Sequence, residues 1–348
     1  MTRLLVILVG LLLGIVAIEA GLRASGLPHV ADSRMMQSSL RWIAHPFQPY
    51  AGQPNARFEL SNDGIPERIV TNSYGFRAHE FPHEKRAGDF FILCFGGSTT
   101  FGYQAPSNAD TWPERLEALL QERYPDRNIK VFNLGVDMAT TVVSLVNLAT
   151  IGVHVDPDLI IVYHGYNEVA ALGGVNHRTD HAHFYRDLNS DPFIFQAAVP
   201  GWLRSSYFLA AMSMALDKIT GANDLGFAAR LPRVSHPNEQ LFGIESSFAN
   251  YRSMHALAAS CGARALFSTF QFRDGVNEPN LQRFNRLSRE YFERSDFDYV
   301  DQDALIPDED TSLQVDTCHF TQKGRDLMAS NFFAHIVERG LIQPRVTE

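Results

Sequence analysis

Cysteine is scarce in this chain of 348 residues: there are three, Cys94, Cys261 and Cys318. Their spacing fits neither a metal-ligand set nor a paired framework, which excludes a disulfide-stapled scaffold. Basic residues are in deficit, 30 Lys and Arg against 39 Asp and Glu, for a net charge of -9. A nucleic-acid surface needs clustered Lys and Arg, so no nucleic-acid partner is expected. No Lys-Ser or Lys-Thr closes the glycine pair at 96–97, which rules out a phosphate-binding P-loop. The stretch Gly96-Gly97-Ser98-Thr99-Thr100 also lacks the second glycine of an α/β-hydrolase elbow. No internal repeat is visible.

What is present is a globular composition, 45% hydrophobic and 20% charged, behind one long apolar run. Leu4 to Ile18 is uninterrupted, Glu19 breaks it, and Ala20-Gly21-Leu22 follows. A spanning helix needs about 17–25 residues, so residues 1–22 are expected to form an uncleaved membrane anchor. A cleaved signal peptide is the alternative, and no A-x-A site follows the apolar core to favour it. The amino terminus and Arg3, set against Arg23, place the N-terminus in the cytoplasm. The expected location is the inner membrane, single-pass, with the bulk of the chain on the extracytoplasmic (periplasmic) side.

Residues 23–88 read as an irregular, proline-rich extension packed on the core, with one alternating stretch at Ala56 to Leu60 and a turn at Tyr74-Gly75-Phe76-Arg77. From 89 to 340 strands alternate with helices. Strands are expected at 90–95, 129–134, 159–163, 264–270 and 298–301. Helices are expected near 112–123, 140–151, 245–260, 278–295 and 321–339. Thr111 and Glu114 form a capping box, Pro113 sits in the first turn and Pro125 ends that helix. Gly262 and Gly340 suit C-terminal caps. This alternation predicts a three-layer α/β/α fold with a central parallel sheet. A long insertion, 170–243, holds a possible amphipathic helix at Leu203 to Ile219 and the aromatics Trp202, Tyr207 and Phe208. It reads equally as a cap over the active site or as a surface excursion.

Each core strand ends in polar or glycine chemistry: Gly96-Gly97-Ser98, then Asn133-Leu134-Gly135, then His164-Gly165-Tyr166-Asn167-Glu168, with Asp316-Thr317-Cys318-His319 late in the chain. In a parallel sheet these ends meet at one edge. Serine is a weak nucleophile until a base takes its proton, histidine is the natural base near neutral pH, and an aspartate can orient that histidine. Cys318 adjoins His319, but sequence neighbours on a loop point apart, so the cysteine is not the expected nucleophile. His177, Asp180, His181 and His183 lie close together and could bind zinc; a polar exposed loop is the plainer reading, and no metal or cofactor is expected.

The order Gly-Gly-Ser, Gly135, Gly165-x-Asn167 and Asp316-x-x-His319 resembles the SGNH/GDSL hydrolases over about 90–340, and Tyr74-Gly75-Phe76-Arg77 resembles their membrane-anchored bacterial members. The resemblance implies a flavodoxin-like fold, Ser98 as nucleophile, His319 as base and Asp316 as its orienter. It implies oxyanion donors at the Ser98 N–H, the Gly135 N–H and the Asn167 amide. Two positions depart from the family pattern: Gly97 replaces the aspartate before the serine, and Glu168 replaces the aspartate after the asparagine. The implied activity is a serine esterase acting on O-acyl esters, including O-acetyl groups on glycans, so an acyl ester, on a carbohydrate or not, is the expected partner besides the membrane. An O-acyltransferase acting on an extracytoplasmic polysaccharide and a non-catalytic binding module that retains the fold are the alternatives. The first shares the acyl-enzyme; the intact Ser98, Asn167, Asp316 and His319 weigh against the second.

Overall fold

The strand at Asp89–Gly96 (β3) is buried along almost its whole length, with Phe90, Ile92 and Cys94 on one face and Phe91, Leu93 and Phe95 on the other. A strand covered on both faces reads as a continuous apolar run, and this one sits inside a parallel sheet. In the computed structural model its neighbours are β4 (Asn128–Asn133) and β5 (Leu159–Tyr163), followed by β6 (Arg264–Ser268) and β7 (Asp298–Val300). The sheet order is β4-β3-β5-β6-β7, and every pairing is parallel. That is the flavodoxin-like arrangement, in which the chain reverses its direction of winding beside β3. Ligands in such sheets sit at the carboxyl ends of the strands flanking that switch point. The structure describes residues 2–25, 42–43, 45–62, 65–173, 177–185, 206–209, 212, 241–272 and 279–342.

Helices cover both faces. Helix α2 (Trp112–Arg123) turns Trp112, Leu116 and Leu120 inward at a four-residue spacing, where they join Phe90, Ile92 and Val131. Trp112 stacks on Phe332 of α7 (Gln322–Glu338) with ring centroids 4.9 Å apart. On the opposite face lie α3 (Thr141–Thr150) and α5 (Ile244–Ser260). Leu148 of α3 packs beside Leu93 and Phe95, and Tyr251 of α5 meets Phe267 of β6 at 5.4 Å. Helix α6 (Pro279–Arg294) joins this side through Phe248 and Tyr291, stacked at 4.3 Å. The short α4 (Tyr166–Leu172) follows β5. The glycines expected to end α5 and α7 have φ of 74° and 59°. The capping box at the start of α2 does not form. The Thr111 hydroxyl donates to the Asn108 carbonyl at 2.8 Å, and Glu114 accepts from His79 at 3.1 Å instead.

The chain divides into two compact units, residues 1–51 with 185–231, and residues 52–184 with 232–348. This differs from the expected division at 22 and 88. Residues 52–88 belong to the sheet-bearing unit, and their described residues include an antiparallel pair of β1 (Arg57–Asn62) and β2 (Ile65–Val70). The alternating stretch at Ala56 to Leu60 lies mostly in β1. In the first unit, α1 (Thr2–Ala24) is exposed and apolar all round, with a span at Arg3–Ala24 long and apolar enough to cross a membrane. Glu19 in that helix accepts from Ser206 Oγ at 2.9 Å and from the N–H groups of Tyr207 and Phe208 at 3.1 and 2.8 Å. The middle of the insertion therefore groups with α1, not with the unit that carries the sheet. Most of the helix expected at Leu203 to Ile219, and Trp202, lie outside the described residues.

Arg77 explains why the Tyr74-Gly75-Phe76-Arg77 turn packs on the core. Its side chain is fully buried, donates to the carbonyls of Gly102 and Ala105 at 2.7 and 2.9 Å and to Asn108 Oδ1 at 3.1 Å. The guanidinium also lies 5.5 Å from the Phe101 ring. It thus braces the loop that leaves β3. Removing it leaves buried acceptors unpaired, a cost of about 1–3 kcal/mol per group. Arg77→Met should therefore lower the unfolding free energy by about 2–4 kcal/mol in denaturant titration; a loss below about 0.5 kcal/mol would show that the carbonyls find other donors.

Candidate active site

β3 ends at Gly96, and Ser98 opens a single helical turn at Ser98–Phe101. Two close approaches set that turn. A side-chain carbon on Gly97 would stand 2.7 Å from Asn167 Nδ2, and one on Gly135 would stand 2.3 Å from the Phe101 backbone nitrogen. At Gly135 the obstacle is backbone, so only glycine lets the two segments come so near.

Asp316 and His319 lie on the loop before α7. The bridge between Gln314 and Phe320 and the bond from the Val315 N–H to the His319 carbonyl, 2.9 Å, fold this loop back on itself. Asp316 Oδ1 accepts from the N–H groups of Cys318 and His319 at 2.9 and 2.8 Å. Its Oδ2 is 2.7 Å from His319 Nδ1, and His319 Nε2 is 2.7 Å from Ser98 Oγ. The Thr99 hydroxyl donates to the Cys318 carbonyl at 3.1 Å and ties the two loops together. The Tyr103 ring lies 4.4 Å from the His319 ring, a contact that no pattern in the chain announces. The chain of bonds from Ser98 through His319 to Asp316 can move a proton off a serine hydroxyl onto an imidazole held by a carboxylate.

Burial works to lower the His319 pKa, and the Asp316 carboxylate, with the Cys318 sulfur beside the ring, outweighs it and raises the pKa above its ordinary value. Asp316 moves the other way: burial raises its pKa, but the bond and charge of His319 and the two N–H groups pull it below the usual carboxylate range. Cys318 is buried, with Sγ 3.8 and 4.0 Å from the two ring nitrogens of His319. The two side chains do not point apart as expected, yet the serine oxygen holds the shorter contact.

Asn167, in the first turn of α4, reaches the same place. A cleft of about 240 Å³ is lined by Ser98, Asn167, Tyr166, Phe270 and Cys318 among others. Asn167 Nδ2 donates to the Ala139 carbonyl at 3.2 Å, which engages one amide hydrogen. Gly135 is not among the cleft residues, and its N–H donates to Asn133 Oδ1 at 3.0 Å. Its glycine character serves the approach to Phe101.

The histidine cluster is not an exposed loop. His181 and His183 are buried, and the rings of His177, His181 and His183 have centroids 5.3 to 6.4 Å apart. Burial lowers the pKa of all three. Among the described residues the acidic, histidine and cysteine groups whose ligand atoms approach within 4.8 Å of one another are Asp316, Cys318 and His319, and His79, Glu114 and Glu117.

Residues 94–327 match the model of the GDSL-like lipase/acylhydrolase family. Among solved structures, a putative lipolytic protein of the G-D-S-L family from Desulfitobacterium hafniense is 14% identical with a TM-score of 0.42, covering 70% of this chain and 98% of that one. An α/β hydrolase from the metagenome of Lake Arreo, Spain, is 16% identical with a TM-score of 0.45, covering 73% and 97%. An acetylxylan esterase from Geobacillus stearothermophilus is 14% identical with a TM-score of 0.43, covering 71% and 94%. No curated protein matches the chain.

The opposed pKa directions have a measurable consequence. The carboxylate holds the His319 proton on, so the wild-type imidazole should titrate above pH 6.5 by NMR. In Asp316→Asn the charge is gone and burial remains, and the pKa should drop by about 1–3 pH units. An unchanged value would mean that Asp316 does not set the charge of His319.

Proposed function

Because the chain belongs to the GDSL-like lipase/acylhydrolase family, a family of hydrolases acting on esters, we propose that it is a serine esterase working through an acyl-enzyme on Ser98. The observation that carries this reading is the unbroken path of two 2.7 Å bonds from Ser98 Oγ through His319 to Asp316. Ser98 Oγ attacks the ester carbonyl carbon as its proton passes to His319 Nε2. The carbonyl π electrons move onto oxygen, and the oxyanion that forms meets the Ser98 N–H and the second hydrogen of Asn167 Nδ2. When the tetrahedral species collapses, the ester C–O bond breaks and His319 returns its proton to the departing alcohol. Water then attacks the acyl-enzyme by the same path, with His319 as base, and releases the acid. Asp316 keeps the imidazole oriented and stabilises its charged form.

The cleft at Ser98 is small and walled by Tyr163, Tyr166 and Phe270, which suits a short acyl chain such as acetyl. O-acetyl groups on glycans are the substrate class that fits this reading. With α1 as the anchor, the catalytic unit works at an extracytoplasmic membrane surface.

A fluorophosphonate should label Ser98, and Ser98→Ala should abolish both labelling and ester cleavage; modification at another residue would overturn the assignment. Asn167→Ala should lower kcat by about 10²–10³. Since His319 must be neutral to act and its pKa is raised, kcat/KM should be lost as pH falls and should climb with an apparent pKa above 6.5. An acid limb below that would contradict the assignment of His319. Acetyl esters should exceed octanoyl esters in kcat/KM by at least about 10-fold. With excess oligosaccharide acceptor, free acid should exceed acylated sugar; the reverse would make the protein a transferase.

A further inference from the structure

Glu168 stands where the resembled family carries an aspartate, and the reaction above leaves it without a task. It is wholly buried and is not among the residues lining the cleft. Three donors from two helices converge on its carboxylate. Oε2 accepts from the Thr141 N–H at 2.8 Å, and Oε1 accepts from Thr141 Oγ1 at 2.6 Å and from Ser247 Oγ. Thr141 is the first residue of α3, whose opening N–H groups have no carbonyl partners within the helix. The preceding Thr140 makes no side-chain cap there, so Glu168 supplies the cap from α4. A carboxylate is favoured at that end of a helix. Thr141 Oγ1 also accepts from Asn250 Nδ2 at 2.8 Å, so the hydroxyl is locked from both sides.

The grip matters because of what lies two residues upstream. The Ala139 carbonyl is the acceptor that engages Asn167 Nδ2 at 3.2 Å. His164, buried and bonded through Nε2 to Ser144 Oγ at 2.7 Å, also bonds the backbone of Ala139. The consecutive residues Asn167 and Glu168 thus hold the 139–141 segment at two points, the amide on a carbonyl and the carboxylate on an N–H. We propose that Glu168 is a positioning residue for ester hydrolysis: its carboxylate fixes residues 139–141, and Ala139 thereby aims the Asn167 amide at the developing oxyanion. The proposal rests on the reading of Asn167 as an oxyanion donor. Burial works to raise the Glu168 pKa, but protonated His181 and His164 and the bonds from the Ser247 and Thr141 hydroxyls act the other way, and the pKa lies below its ordinary value. A neutral glutamine would meet the Thr141 N–H with either a weaker acceptor or a second donor.

The test is a double-mutant cycle on the full-length protein, read as kcat and KM on a short acyl ester. Glu168→Gln alone should lower kcat about 10-fold and leave KM within about 2-fold, the pattern of an interaction made in the transition state. In an Asn167→Ala background the same change should cost less than about 2-fold, because the donor it positions is gone. Ser247→Ala removes one of the three donors and threatens folding less; it should lower kcat about 2- to 5-fold, and that loss should likewise vanish in the Asn167→Ala background. Losses that multiply with Asn167→Ala, a loss confined to KM, or an unchanged kcat in Glu168→Gln would each overturn the proposal. Should Asn167→Ala by itself leave kcat unchanged, the oxyanion reading fails first, and that single variant shows it before the cycle is closed.

Discussion

The 2.7 Å contact between Ser98 Oγ and His319 Nε2 joins residues 221 positions apart, and much of the fold serves to hold its two ends still. A contact so distant in sequence carries a large loop-closure entropy and cannot hold itself. Ser98 is fixed from behind by β3, which is paired on both sides, and from the side by Arg77 on the Gly102 and Ala105 carbonyls. His319 is fixed by a loop that closes on itself at Gln314 and Phe320 and by Asp316 bonding two backbone N–H groups of that loop. The Thr99 to Cys318 bond then clamps one loop to the other. On the proposed reading a shift of about 1 Å at either group would cost about 100-fold in rate, and the separate bonds that converge here oppose such a shift.

A second serine and histidine pair in the same unit shows what the first one needs. His164 Nε2 and Ser144 Oγ are also 2.7 Å apart, and both residues are buried, with His164 among the residues lining the cleft. Burial is the largest influence on each imidazole, and it lowers both pKa values. For His164 burial wins, the nearby Glu168 notwithstanding, and its pKa falls to about 4. For His319 a carboxylate bonded directly to Nδ1 reverses the outcome. A serine and histidine at bonding distance therefore do not by themselves set the charge of the imidazole; the directly bonded carboxylate distinguishes His319 from His164. His164 does structural work as a neutral ring, bonding Ser144 and the Ala139 backbone beneath Asn167.

The sheet was legible because buried parallel strands are written as short apolar runs ending in glycine or polar residues. Leu159–Tyr163 and Trp112–Arg123 fall where the pattern puts them. The bonded triad was legible because Asp316 and His319 are three residues apart and Ser98 ends a strand. What the pattern missed is tertiary. Asn133 turns its side chain back onto the N–H of Gly135, a bond that spacing does not encode. Glu114 faces His79, 35 residues earlier, so the local capping box lost to a distant partner. His181 and His183 look polar and exposed in sequence, but they are buried, one on Ser246 and the other on the Ala171 carbonyl. Tyr103 over His319 and Glu168 under Thr141 share this character: contacts between segments far apart in the chain, with no period to announce them.

Glu19 extends the same lesson to the other unit. In the sequence it marks only the end of an apolar run. In the structure it accepts from Ser206, Tyr207, Phe208 and, within its own helix, Arg23 at 2.7 Å. The Arg23 guanidinium also lies 5.3 Å from the Tyr207 ring. An acid inside an apolar helix is costly in hydrocarbon unless donors meet it, so such residues face partners, not lipid. Here the donors come from the insertion, nearly 190 residues downstream. The end of α1 and the segment opening at Ser206 are thus joined through one carboxylate. Those bonds give a physical reason for Ser206, Tyr207 and Phe208 to group with the N-terminal helix.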